Sequence, residues 1–212
     1  MMKLIVIDGP SGVGKGTLTK SLGERLGLDV IDSGLWYRAL VYKHSKCSGM
    51  ATWQEIARTL EVTDLQYPIL RTEEIGNMVP KVSEIRSVRE ALNARLRSLH
   101  FFSRGALIDG RAGAWEYPEA DIKFFLTAFP EVRAAQRFLQ LLKAREGREE
   151  ISYERVLSDI LARDEKDTTR EVFPLKKHPD AIEIDVSKLT ERQALARMLH
   201  EISESTKVAL SR

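Results

Sequence analysis

The chain has 212 residues, 43% of them apolar and 30% charged, with a net charge of +2. This length supports one domain with a substantial core, and the composition is that of an ordered globular protein rather than a disordered or fibrous one. The near-neutral charge argues against a nucleic-acid polymer or an anionic membrane as partner, so any cationic site has to be local. The lone cysteine, Cys47, excludes an intramolecular disulfide and a thiolate metal cluster, which fits a reducing compartment.

The apolar run at 4–7 is too short for the core of a signal peptide. No stretch approaches the ~20 apolar residues of a membrane-spanning helix. The run at 4–7 is rich in β-branched residues and reads as a buried parallel strand. A glycine-rich turn follows at 9–16. Leu18, Leu22 and Leu26 then form a helical stripe, which Gly27 stops, and 29–31 is again extended. Strand, loop, helix and strand in this order open a doubly wound α/β fold with a parallel sheet.

The stretch 34–88 is less regular. It holds short helical pieces and the polar run Arg71-Thr72-Glu73-Glu74, and reads as an insertion on the ligand side of the sheet. Arg89, Leu92, Leu96 and Leu99 then share one helix face. A third strand at 106–108 ends in Asp109-Gly110-Arg111, and a fourth lies at 122–126. Val132, Ala135, Phe138, Leu139 and Leu142 mark a helix, which the charged stretch 143–150 interrupts. Tyr153, Val156, Leu157, Ile160 and Leu161 mark the next helix. A fifth strand at 181–184 and a helix over 191–203 complete the chain. The expected organisation is a five-stranded core formed by 1–33, 89–142 and 152–212, an acceptor-binding insertion at 34–88 and a short lid at 143–151.

Gly9-Pro10-Ser11-Gly12-Val13-Gly14-Lys15-Gly16-Thr17 follows a predicted strand and opens a predicted helix, which is the context of a phosphate loop. Its glycines let backbone N–H groups turn inward around phosphate oxygens, and the helix N-terminus adds unpaired donors and partial positive charge. Lys15 supplies a full charge to the β- and γ-phosphates. Gly16 stands where the general motif has Ser or Thr, and Thr17 comes one position later. The usual direct hydroxyl–Mg²⁺ bond is therefore missing, and the ion is expected to be held by nucleotide and water.

The apolar stripe of the helix at 153–161 continues by threes and fours into Arg163 or Asp164, then Asp167, then Arg170. The inward face thus turns from apolar to charged. Buried charges need partners, which either a bound nucleotide or a structural ion pair supplies. Arg89 shares a face with Leu92 and Leu96, and Arg111 follows a strand end, where open α/β sheets bind ligands. Arg133 and Arg137 lie four apart on one helix, a spacing equally suited to a solvated face and to reaching ATP. His44, His100, His178 and His200 show no ligand spacing and read as structural or surface residues, as Trp36 and Trp53 read as packing residues.

Several of these segments together resemble one family. The loop at 9–17 is similar to that of nucleoside monophosphate kinases. Asp32-Ser33-Gly34-Leu35-Trp36-Tyr37-Arg38 resembles the Asp-Ser-Gly-x-x-Tyr-Arg segment of bacterial cytidylate kinases, and Arg163-Asp164-Glu165-Lys166-Asp167-Thr168-Thr169-Arg170 their Arg-Asp-x-x-Asp-x-x-Arg. Arg71-Thr72-Glu73-Glu74-Ile75-Gly76-Asn77 and Val88-Arg89-Glu90-Ala91-Leu92 add to the match, which runs in order over nearly the whole chain. The resemblance implies transfer of the γ-phosphoryl of ATP to CMP or dCMP by a cytoplasmic monomer that uses Mg²⁺. Its partners would be small nucleotides only. It assigns Ser33, Tyr37, Arg38, Arg89 and Arg111 to the acceptor, with Ser33, Arg38, Arg89 and Arg111 on the phosphate side. Arg163 and Asp167 go to the acceptor sugar, and Arg170 to the transferring phosphate. Lys15, Arg111, Arg163 and Arg170 form the catalytic set, Arg133 and Arg137 reach ATP, and Asp109 orients magnesium-bound water.

The chain departs from the family at one strand end. The family reads Asp-Gly-Arg-Asp-x-Gly-Thr, whereas this sequence has Asp109-Gly110-Arg111-Ala112-Gly113-Ala114-Trp115. In the family the second Asp helps recognise cytosine, and Pro80 stands where a small hydroxyl residue facing the base is expected. Base choice is therefore expected to be altered or relaxed, with Trp115 stacking on the base or, as the favoured reading, filling the vacated space. The alternatives are a kinase of another nucleotide or small acceptor, and a catalytically silent nucleotide-binding protein. A GTPase switch lacks its Asn-Lys-x-Asp signature here.

Overall fold

The computed structural model describes residues 4–47, 49–99, 105–143 and 152–210. The strands are β1 (Leu4–Asp8), β2 (Asp29–Asp32), β3 (Ala106–Asp109), β4 (Ile122–Thr127) and β5 (Ile182–Asp185). They form one five-stranded sheet in the order β2-β3-β1-β4-β5. All pairings are parallel, with Ile5 in register with Leu107 on one side and Ile122 on the other. The central place of β1 explains its unbroken apolar character, since a strand covered on both faces has no solvent side.

The helices are α1 (Lys15–Leu26), α2 (Ser33–Lys46), α3 (Trp53–Arg58), α4 (Glu73–Ser83), α5 (Arg86–Ser98), α6 (Gly113–Glu116), α7 (Pro130–Lys143), α8 (Tyr153–Thr169) and α9 (Glu191–Leu210). Side chains alternate along β1 and feed two cores. Leu4 and Val6 pack with Ile31, Trp36, Leu40, Leu92, Leu96 and Ile108 on one face of the sheet. Ile5 and Ile7 pack with Leu18, Leu22, Phe124, Met198 and Ile202 on the other. A smaller cluster of Ala134, Val156 and Ile160 joins α7 to α8.

The strands fall where the apolar runs predict them, and α9 extends to Leu210, past the expected 203. Gly27 closes α1 in the left-handed region at φ 67°, donating its N–H to the Gly23 carbonyl. The stretch 34–88 folds into helices and two 3-10 turns, Val62–Leu65 and Pro68–Arg71. Its Trp36, Leu40, Leu60 and Leu70 are fully buried in the same core as the sheet residues. Of the expected lid, Lys143 ends α7 and 144–151 lie outside the described residues. No described helix is long and apolar enough to cross a membrane.

Candidate active site

The loop between β1 and α1 is shaped by a close approach and a left-handed turn that glycine alone accommodates without strain. Gly9 sits at φ 151°, and a Cβ there would stand 2.4 Å from the Leu126 carbonyl oxygen of β4. Gly14 takes φ 88° as the N-cap of α1, a position that also leaves the helix N-terminus without a side-chain cap. Lys15 is buried and folds back over the loop, donating from Nζ to the carbonyls of Gly9 and Pro10 at 2.8 Å each. Burial, followed by the Arg111 guanidinium, brings its pKa down to about 7. Gly12, Gly14, Gly16 and Thr17 face the same cleft.

That cleft has a volume of about 780 Å³ and gathers arginines from segments far apart in the chain. Arg38 of α2, Arg89 of α5, Arg111 after β3, and Arg163 and Arg170 at the end of α8 all line it with Lys15. Asp167 lies among them, accepting from Arg111 Nε at 3.3 Å and standing 3.8 Å from Arg170 NH1. Arg163 is reached by water yet walled by protein. The lost hydration, with Arg111 next, holds its pKa below the ordinary arginine value. Burial and then Arg89 do the same to Arg170. Two donors in this region, Arg170 NH2 and the Tyr37 hydroxyl, are buried without a hydrogen-bond partner. Cations crowded this closely, with donors left unpaired, suit an anionic ligand.

Neighbouring bonds hold the cluster in place. Arg38 NH1 donates to the carbonyls of Leu70 and Thr72, which ties α2 to the start of α4. Ser33 donates from Oγ to the Asp109 carbonyl at 2.7 Å, joining the starts of α2 and Arg111's segment. Arg170 Nε donates to the carbonyl of Phe173, whose φ of 50° is a strained, left-handed conformation for a side chain of its size. The Asp109 carboxylate lies 3.7 Å from where a Cβ of Gly16 would be, and burial raises its pKa against the lowering pull of Lys15. It thus lies beside the phosphate loop, and no cluster of His, Cys, Asp and Glu able to hold a metal occurs among the described residues.

The sequence profile of the cytidylate kinase family matches residues 5–204. A cytidylate kinase of Pseudomonas fluorescens (strain Pf0-1) is 38% identical, with 94% of this chain and 95% of that protein covered. One from Xanthobacter autotrophicus is 42% identical, with 92% and 95% covered. This chain belongs to the cytidylate kinase family. Solved structures share the fold at low identity. They include shikimate kinase from Bacteroides thetaiotaomicron (TM-score 0.52, 16% identical, 96% of this chain and 99% of that one covered). An uncharacterized protein from Eubacterium ventriosum is another (TM-score 0.56, 12% identical, the same coverage).

Two predicted residues sit differently within this cytidylate kinase family member. Arg137 is exposed and lines the cleft. Arg133, one turn earlier on α7, is buried. It donates to the carbonyls of Ala128 and Ser11 at 3.0 and 3.1 Å and pairs with Asp164 at 2.6 Å. Trp115 does not fill the space expected beside Ala112. It is 38% exposed, and its indole N–H donates to the Lys176 carbonyl on the outside of the site, because α6 turns Trp115 outward and Glu116 inward.

Sequence reasoning missed three residues here. Asp8, ending β1, is buried and accepts the N–H groups of Gly113 and Ala114 at 2.9 and 2.8 Å, capping α6. Glu116 enters the cleft and pairs with Arg89 NH1 at 3.0 Å, while Asn93 donates to its other oxygen at 2.6 Å. An Asp directly before a phosphate loop is a readable signal for a buried carboxylate. No pattern around Glu116 or Asn93 marks either one.

Proposed function

We propose that the protein transfers the γ-phosphoryl group of ATP to CMP or dCMP. The observation that carries this reading is the convergence of Lys15 and seven arginines on one cleft that opens from the phosphate loop. Phosphoryl transfer requires two polyanions to be held in line while charge spreads over the moving group, and this is largely a task of positioning and charge neutralisation.

In this reading the loop amides and Lys15 hold the ATP phosphates, and Arg137 approaches from α7. Ser33, Tyr37, Arg38 and Arg111 hold the acceptor phosphate, whereas Arg89, expected with them, is held away by Glu116 and the Ser83 carbonyl. Arg163 and Asp167 face its sugar, and Arg170 stands at the transferring group with an unpaired N–H for its oxygens. Binding phosphate would remove the cost of the buried, unpartnered donors of Arg170 and Tyr37, about 1–3 kcal/mol each. Magnesium fits the site through the nucleotide and water, with Asp109 as the nearby carboxylate, and when bound it neutralises phosphate charge. By the family resemblance the enzyme works as a monomer in the cytoplasm.

A coupled assay of ADP release with ATP and CMP, dCMP, UMP, AMP or GMP tests the proposal. Release that depends on CMP or dCMP is the expected result. ADP release that none of these acceptors stimulates would overturn it.

A further inference from the structure

One part of the cleft's lining, drawn from α4, α5 and α6, suits a nucleobase. Val79, Pro80, Leu92 and Leu96 give it apolar walls, and its polar edge consists of Arg89, Glu116 and Asn93. The side chains of Arg89 and Glu116 are 5% and 10% exposed, so the pair is nearly dry. Each has a second anchor. Arg89 Nε donates to the Ser83 carbonyl at 2.9 Å, and its guanidinium lies 5.2 Å from the Phe173 ring centre and 5.6 Å from that of Tyr37. Glu116 accepts from Asn93, whose own carbonyl oxygen accepts the Tyr117 hydroxyl at 3.0 Å. A carboxylate and a guanidinium are therefore fixed side by side at the wall of a polar-edged apolar slot.

This arrangement has a sign. An ionised carboxylate only accepts hydrogen bonds and a guanidinium only donates them. The complementary ring edge presents an amino donor beside a ring acceptor, as cytosine does with N4 and N3. Uracil reverses both, placing O4 against the carboxylate and N3–H against the guanidinium. Ala112, at the place where a second aspartate was expected, carries only a buried methyl group and cannot supply the acceptor. The carboxylate of Glu116 retains lone pairs beyond those used by Arg89 and Asn93.

We infer that Glu116 is the specificity-determining residue of the acceptor pocket, taking the hydrogen bond from the 4-amino group of cytosine while Arg89 donates to the ring acceptors beside it. This inference rests on the proposed CMP kinase reading, and it makes base choice stringent where the missing aspartate alone would make it lax. An unmatched polar group in a dry site lowers the rate constant kcat/KM by about ten- to a hundredfold.

The test measures kcat/KM of the full chain with ATP and three acceptors: CMP, UMP, and the 2-pyrimidinone analogue of CMP, which lacks the amino group. Wild type and Glu116→Gln are compared. The wild type should prefer CMP over both other acceptors by at least tenfold. In Glu116→Gln the CMP advantage over the analogue should shrink by about tenfold or more, mainly through a rise in KM for CMP, and the CMP-to-UMP ratio should fall with it. A purely structural role for Glu116, as counter-charge to Arg89, would depress all three acceptors together and leave the ratios within twofold, which overturns the inference. Should Glu116→Gln fail to fold, Glu116→Asp keeps the charge but withdraws the carboxylate by one methylene, and the same ratios decide. A wild type that turns over no CMP would overturn both the kinase reading and this inference. CMP turnover with unchanged ratios in the variant would overturn the inference alone.

Discussion

The carboxylate of Asp8 accepts the backbone N–H of Ala114 at 2.8 Å and that of Gly113 at 2.9 Å, spanning more than a hundred residues of chain. The strand that launches the phosphate loop thereby also holds the one-turn helix that carries Glu116 and follows Arg111. The phosphate loop and the helix after Arg111 are tied to one buried carboxylate.

Asp8→Asn should loosen that tie. The amide puts an N–H₂ group against two backbone donors, at a cost of about 1–3 kcal/mol at pH 7. Burial raises the Asp8 pKa from 3.8 to about 6, despite the opposing backbone bonds. The folded state therefore binds this proton more tightly than the unfolded chain. Asp8 contributes stability that is fully present below about pH 4 and is lost as pH rises through about 6. Urea melts of wild type and variant should show a stability difference that widens, by up to about 3 kcal/mol, as pH falls from 7 to 4. A difference independent of pH would mean that Asp8 titrates normally.

Lys15 should take up a proton when ATP binds. Its pKa near 7, against 10.5 for an exposed lysine, leaves it largely neutral at pH 8 in the unliganded cleft. Through this group the empty protein gains stability as pH rises from about 7 toward 10.5, since there the unfolded chain binds more protons. Phosphate oxygens reverse the shift by favouring the charged form. Calorimetry of ATP binding at pH 8 in buffers of different ionisation enthalpy should report an uptake approaching about one proton. An uptake of zero would contradict the depressed pKa.

Arg133 and Arg137 should separate stability from binding. Arg133→Ala leaves Asp164, 20% exposed and with one oxygen already buried and unpaired, without its cation. A loss of about 3 kcal/mol is expected, near the lower end for breaking a buried pair because Asp164 keeps some access to water. Arg137→Ala, on the exposed face, should leave the melting temperature within about 2 °C and raise the KM for ATP several-fold. Thermal melts alongside steady-state kinetics check both, and equal effects on stability would show that the two arginines share one role.

Tyr37→Phe removes a buried hydroxyl that has no partner. Without ligand the variant should be as stable as the wild type or more so, by up to about 1 kcal/mol, since an unsatisfied group is lost and the packing ring is kept. Acceptor KM should rise if the hydroxyl donates to the acceptor phosphate. A variant less stable than the wild type would show that the hydroxyl is satisfied in solution.

The local features of this fold were legible without coordinates. The β-branched run at 4–7 became the central strand β1, because a strand covered on both faces has no solvent side to call for polar residues. The glycines at 9, 12 and 14 announced the phosphate loop, because positive φ and close backbone contact exclude a side chain whatever surrounds them. The charged continuation of the α8 stripe pointed to Arg163, Asp167 and Arg170, and all three line the cleft.

What periodicity cannot carry is the identity of a charge's partner. Arg133 and Arg137 look alike along the chain, yet a turn of helix puts one against Ser11 and Asp164 and the other at the open cleft. Trp115 and Glu116 are neighbours, and the direction in which α6 turns decides which of them enters the pocket. The chain by itself determined the sheet, the loop and the presence of many cations, since these follow from steric and hydrophobic rules acting within a few residues. Only the tertiary structure decided which cations are spent on the protein and which face a ligand. A charge acquires its role from the groups packed around it, and those come from distant parts of the chain.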